Sequence, residues 1–234
     1  MRELKNKKIQ CVIFLIYFSI INISNAQNDE ITNLSEYNNN SYLTINLLSS
    51  INPIAPRWRI GYIRNINERW KVGIDVGYGN ANLIYWDLGD NYELWEIRPE
   101  FYYFLKTKRK TKKYLSFEPF YTNHKDIFID SFYNPENAKS TSYDQANYKR
   151  QKYGVNFKYG FLFNSRKRLG FNLYSGLGLR IRNNTFSNII NPTIVDLGPE
   201  GGDFFGTDAY KNLEGTNFGL NFVLGIKLYY RLNN

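Results

Sequence analysis

Apolar and polar side chains alternate with a period of two along most of the chain beyond residue 41. That is the spacing of a strand whose two faces meet different surroundings. The clearest run is 218–232. Phe218, Leu220, Phe222, Leu224, Ile226, Leu228, Tyr230 and Leu232 take one face; Gly219, Asn221, Val223, Gly225, Lys227, Tyr229 and Arg231 take the other. Residues 169–182 repeat it, with Leu169, Phe171, Leu173, Leu177, Leu179 and Ile181 set against small and polar residues up to Arg180 and Arg182. The same alternation marks 148–163, 114–126, 92–105, 70–79 and 57–66, and more weakly 42–48, so eight strands are predicted. Several exceed the five or six residues usual in a globular sheet. They suit the roughly 9–11 residues that a tilted strand needs to cross a bilayer. Trp58, Trp70, Tyr78, Trp95, Tyr103, Tyr114 and Tyr230 gather near the ends of these runs, as interfacial girdles do.

The connections give an independent argument. Strands two and three, four and five, and six and seven are joined by short polar stretches at 67–68, 106–113 and 164–168. The intervening connections, 80–91, 127–147 and 183–217, are long and rich in Asn, Gly and Asp; only 49–56 is modest. Short turns at one end and long loops at the other are the habit of an outer-membrane barrel with both termini periplasmic.

The N-terminus agrees with export. Arg2, Lys5, Lys7 and Lys8 precede an apolar run over 11–21, and Ser24, Asn25 and Ala26 form a small-x-small exit. These are the three parts of a cleaved secretory signal, expected over 1–26. A flexible periplasmic segment over 27–40 and a barrel over 41–234 should follow. Removing the leader takes away Cys11, the one cysteine, together with four bases and one acid. The formal charge then falls from +9 to +6. Disulfides and thiolate metal sites are thereby excluded from the mature chain. A basic balance can signal nucleic-acid binding, but an exported chain with 20 Tyr and 17 Phe argues against it.

The charges of the polar faces cannot meet lipid, where a base at mid-depth costs about 2–4 kcal/mol. They are expected to point inward and pair as an ionic network: Arg57, Arg59, Asp75, Glu96, Arg98, Glu100, Glu118, Lys158, Arg180, Arg182 and Lys227. An eight-strand barrel is just wide enough to be filled by its own side chains. A conducting pore is the competing expectation, and a soluble ligand-binding barrel would instead need an apolar interior. Inward glycines should make room for large neighbours such as Tyr174 and Tyr229. The pairs Gly176 with Gly178 and Gly77 with Gly79 open no helix, so they lack a phosphate-binding setting.

Residues 58–62, 70–78, 96–104 and 174–178, with the final strand, are the motifs by which the chain resembles the small outer-membrane β-barrels of Bacteroidetes. Those are broadly similar to the OmpA and OmpX barrels. The resemblance implies an all-β, eight-stranded antiparallel transmembrane β-barrel of up-and-down order, located in the outer membrane. The expected partners are outer-membrane lipid, the barrel-assembly machinery during biogenesis, and an extracellular ligand at the outer loops, with no nucleic acid. Gly225, Leu228 and Tyr230 match the barrel-assembly signal in spacing, while Val223 stands where a polar residue is usual.

Catalysis finds little footing. His124 is the single histidine, with Asp126, Asp130 and Ser131 near it in sequence. A His–carboxylate pair could activate water, and His with Ser could form an esterase dyad, if geometry joined them. One histidine without cysteine does not make the usual zinc set. No cofactor, metal or catalytic residue is therefore expected. The leading expectation is a non-enzymatic barrel with a side-chain-filled lumen, serving envelope integrity or surface adhesion through its outer loops. A narrow anion-preferring channel is the alternative, and a lipid-modifying enzyme a third.

Overall fold

The predicted alternation reappears as a sheet in the computed structural model, which describes residues 40–83, 91–106, 111–135, 139–163, 167–195 and 211–232. The expected leader over 1–26, and all of the 27–40 segment but Asn40, lie outside the described residues. The strands are β1 (Ser41–Asn46), β2 (Trp58–Asn65), β3 (Trp70–Asn80), β4 (Glu93–Phe104), β5 (Lys112–Tyr133), β6 (Thr141–Leu162), β7 (Leu169–Ile190), β8 (Thr193–Ile194) and β9 (Gly215–Leu232). Eight of them form one antiparallel ring in chain order, which β1 closes by pairing with β9 from Ser41 opposite Leu232 to Asn46 opposite Lys227. The two-residue β8 stands outside the ring and pairs only with the start of β6.

Facing follows parity. On β4, Leu94, Glu96, Arg98, Glu100, Tyr102 and Phe104 are buried, while Trp95, Ile97 and Phe101 between them are exposed. On β9, Phe218, Leu220, Phe222 and Leu224 are 62–75% exposed, and Lys227 is 1% exposed. The barrel is polar and charged within and apolar without, the reverse of a soluble ligand-binding barrel. Aromatic pairs mark both ends of the apolar exterior: Trp70 with Tyr103 (centroids 4.9 Å) and Trp95 with Tyr121 (5.1 Å). Eight residues of β4 separate Trp95 from Tyr103. That is ~26 Å of strand, or about 20 Å of height at a usual barrel tilt.

Packing inside depends on size alternation at close approaches. Tyr174 is opposite Gly225 in register. A Cβ at Gly225 would overlap the Tyr174 ring, whose hydroxyl accepts from Asn46 Nδ2 at 2.7 Å. A Cβ at Gly77 would meet Glu96 Cγ at 2.6 Å, so the missing side chain leaves the space that Glu96 fills. The end of the ring where β1 begins and β9 ends is floored by Tyr42, Ile63, Tyr102, Phe104, Tyr114, Leu162, Tyr174 and Tyr229. Lys71 completes this floor, donating to Asn65 Oδ1 (2.5 Å) and to the Asn40 carbonyl (3.0 Å).

Two expectations need correction. The connection predicted over 127–147 is mostly strand, because β5 runs on to Tyr133 and β6 starts at Thr141. Likewise β7 continues to Ile190 and β9 starts at Gly215, within the loop predicted over 183–217. Beyond the apolar belt the outward positions include Lys125, Lys149 and Thr185. A strand with polar residues on the outside no longer shows an apolar stripe. β5–β7 therefore project past the other strands as a wall. Its inner side carries Tyr143, Ala146, Tyr148 and Phe186, with Phe128, Tyr133 and Ile189 packed against them.

A second irregularity lies inside the belt. The β4–β5 ladder pairs Ile97 with Tyr121 and Phe101 with Phe117, and lapses between them. Pro99 and Pro119 face each other there, and proline has no N–H to donate. Side chains take over at that depth. Arg98 Nη1 reaches Glu118 Oε1 at 2.9 Å, and Ser116 Oγ donates to Glu100 Oε1 at 2.6 Å.

Candidate functional site

The inward positions of six strands, with Arg57 just before β2, bring nine charged residues into one connected network. Three arginines converge on Glu96 of β4. Arg57 Nε lies 2.5 Å and Arg59 Nε 2.7 Å from Oε1, and Arg98 Nε lies 2.8 Å from Oε2. Arg98 links onward to Glu118 of β5. Lys158 of β6 sits 2.7 Å from Glu118 Oε2 and 2.6 Å from Glu100 Oε1. Lys227 of β9 closes the chain of contacts, 3.5 Å from Glu100 and 2.7 Å from Asp75 of β3. Every member is under a tenth exposed.

Burying nine charges is costly unless each is paired and its remaining donors and acceptors are satisfied. Surrounding polar residues add hydrogen bonds to Glu118 and Glu100. Asn156 donates through Nδ2 to Glu118 Oε1 at 2.8 Å and accepts through Oδ1 from Asn221 Nδ2 at 2.7 Å. Tyr102 donates to Glu100 Oε2 at 2.6 Å, and Tyr114 to Asn172 Oδ1 at 2.8 Å. Lys158 Nζ also lies 4.5 Å from the Tyr174 ring centroid, close enough for a cation–π attraction. The sequence signal for these satisfying residues was their inward parity, shared with the charges. Their partners were invisible because cross-strand register is set by turn geometry.

Arg180 and Arg182 were expected in the same network. They sit further toward the outer end of β7, where Arg180 is opposite Gly154 and Gly219, and Arg182 opposite Lys152 and Asn217.

Comparison of the chain with protein-family models, curated proteins and solved structures gives no match. What the site can do therefore rests on its geometry.

Above the network lies a second buried group. β5 persists past Asp126, so His124 and Asp126 do share the inward face, with Nε2 3.8 Å from Oδ2. Arg150 Nη2 lies 3.0 Å from the other ring nitrogen, and the Tyr92 and Tyr148 rings flank the imidazole at 4.9 and 5.4 Å. Tyr92 donates to the Pro56 carbonyl at 2.7 Å. Ser131, the only nucleophile considered for this histidine, is seven residues further along the same strand. That separation is ~23 Å, so the esterase dyad is not assembled. Among the described residues no three His, Cys, Asp or Glu side chains form a metal-binding group.

The outer end is tied across its inner surface. Asn184 Nδ2 of β7 donates to the carbonyls of Lys211 (3.2 Å) and Leu213 (2.9 Å). Asn134, just after β5, exchanges backbone hydrogen bonds with Asn212 and Glu214 at 2.9 and 3.0 Å. The segment before β9 thus bridges β5 to β7 on the inside of the projecting wall. In the predicted 183–217 loop, Phe204, Phe205 and Tyr210 lie outside the described residues, as do 107–110 of the basic 106–113 turn. Of that turn, Lys113 is placed with its ammonium 5.8 Å from the Phe161 ring centroid.

Proposed function

We propose that the chain is a non-enzymatic outer-membrane barrel with a side-chain-filled lumen, contributing to envelope integrity or surface adhesion through its outer end. The observation that carries this reading is the nine-residue charge network at mid-height, lying above the aromatic floor and below the tied outer segment. Water and ions crossing such a barrel would have to break buried ion pairs at the centre. The apolar exterior is what a barrel embedded in lipid needs. The projecting β5–β7 wall, with Ile129 and Ile190 exposed on it and Ile194 exposed on the adjoining β8, supplies surface for contact with a partner.

A narrow anion channel is the second reading. It is favoured by the inward bases Lys152, Arg180 and Arg182 above the network, since a ring of bases concentrates anions. Planar-bilayer recording on the folded protein separates the two. A filled lumen gives a silent bilayer. Stable anion-selective steps, lost or reversed when Arg180 and Arg182 are both changed to Glu, would refute the filled-lumen reading. Fractionation and heat-dependent gel mobility test location: recovery as a soluble periplasmic protein would refute the barrel in the membrane.

A further inference from the structure

The outer surface of β5 and β6 carries a pair of bases that the lumen does not use. Lys125 is directly opposite Lys149 in register, and both are exposed on the exterior of the ring. Like charges facing each other across an antiparallel pair repel. Glu93 of β4 is next to Lys125 in register, yet neither lysine has an ion pair among the described residues. An anion held between them would relieve that repulsion.

The strands beneath the pair grade in polarity. Two residues closer to the belt, Asn123 faces Gln151; two further, Tyr121 faces Tyr153; two further again comes Pro119 with Val155, then Phe117 with Phe157. Gln151 Nε2 donates to the Tyr121 hydroxyl at 2.9 Å, and Trp95 packs on the Tyr121 ring. Phe117 and Phe157 rings are in contact, with centroids 5.2 Å apart. The order is therefore ammonium, amide, phenol and hydrocarbon over eight residues, ~26 Å of strand. That is the order in which a lipid presents phosphate, ester or sugar, and acyl chain.

We propose that Lys125 and Lys149 together bind the phosphate of a lipid headgroup in the outer leaflet. The Gln151 side chain lies against the linkage region, and the acyl chains run down the Phe117–Phe157 face. This rests on the reading of the chain as a barrel in the membrane. It makes β5–β6 a lipid-selective flank and orients the projecting wall relative to the headgroup layer.

The test is native mass spectrometry of the full chain folded in detergent, with bisphosphorylated lipid A as the probe. Wild type should carry the lipid, and K125Q/K149Q should bind it about thirtyfold more weakly, from the loss of two surface bases. K113Q, which removes an outward base from the other end of β5, should bind as wild type. A dephosphorylated form of the same glycolipid should bind wild type no better than the phosphorylated form binds the double variant. Equal binding by wild type and K125Q/K149Q overturns the site. Displacement of the lipid by millimolar inorganic phosphate overturns it too, because the pair would then take any free phosphate. Failure of wild type to reach a heat-modifiable folded form in detergent refutes the membrane reading and this proposal with it. A folded protein whose binding ignores both lysines refutes this proposal alone.

Discussion

Replacing Glu96 with Gln is the sharpest probe of the lumen. Glu96 is the only acid within ion-pairing distance of Arg57 and Arg59 among the described residues, whereas Arg98 keeps Glu118 when Glu96 is neutralised. The change therefore strands two buried guanidinium groups and leaves the third paired. Breaking one buried ion pair costs about 3–5 kcal/mol, because it leaves an uncompensated charge, so this range is a lower bound for E96Q. Removing Arg98 should be milder. Glu96 retains two arginines, and Glu118 retains Lys158 and Asn156, so no acid is left alone. The assay is urea unfolding of the detergent-folded protein, followed by gel mobility and tryptophan fluorescence. The expected order of midpoints is wild type, then R98M, then E96Q, at similar slopes. E93Q, an exposed outward change on the same strand, should leave the midpoint in place. Adding R59M to E96Q should recover part of the loss, because it removes one stranded charge. If E96Q unfolds at the wild-type midpoint with an unchanged slope, the network does not hold the barrel together.

Other predictions follow from single contacts. Gly225→Ala should destabilise by about 1–3 kcal/mol through overpacking against Tyr174; Gly219→Ala should be tolerated, since its nearest neighbour would be Arg180 Nε at 3.8 Å. The unfolding midpoints of the two variants check this, and equal midpoints would refute it. Glu118→Gln should raise amide hydrogen exchange locally at Ile97, Phe101, Phe117 and Tyr121, which flank the proline gap in the β4–β5 ladder. Exchange confined to strand ends would refute the idea that side chains hold that gap. Asn184→Ala should speed tryptic cleavage after Lys211, whose carbonyl and that of Leu213 it holds. Unaltered cleavage would mean that the tie contributes nothing.

Strand number and facing were legible wherever the outside of a strand is apolar. Phe218 through Tyr230 on β9 are an unbroken example, with Lys227 inside and Leu228 outside. Past Asp126 that contrast is lost, because Lys125 and Lys149 face outward while Tyr148 and Phe186 face inward. The projecting parts of β5, β6 and β7 consequently read as loop. Membership of the charge network was legible only as parity. Parity alone does not say which charges touch, since that depends on the register between strands. Pro99 and Pro119 each look like a minor blemish in a strand; only the register reveals that they meet. His124 and Asp126 came together because the strand continued, and Ser131 was lost to them for the same reason.

The closing strand has a further consequence for how the chain is made. β9 provides ladder partners to β1 on one side and β7 on the other, and its Lys227 holds Asp75, which has no other base within ion-pairing distance among the described residues. A polypeptide halted before β9 would show two bare edges and an unneutralised acid in its interior, whatever its earlier strands had achieved. Bare edges invite pairing with other chains, and contacts so distant in sequence form slowly. The strand that shuts the ring thus also finishes its interior charge balance, so closure and neutralisation of Asp75 come in one step.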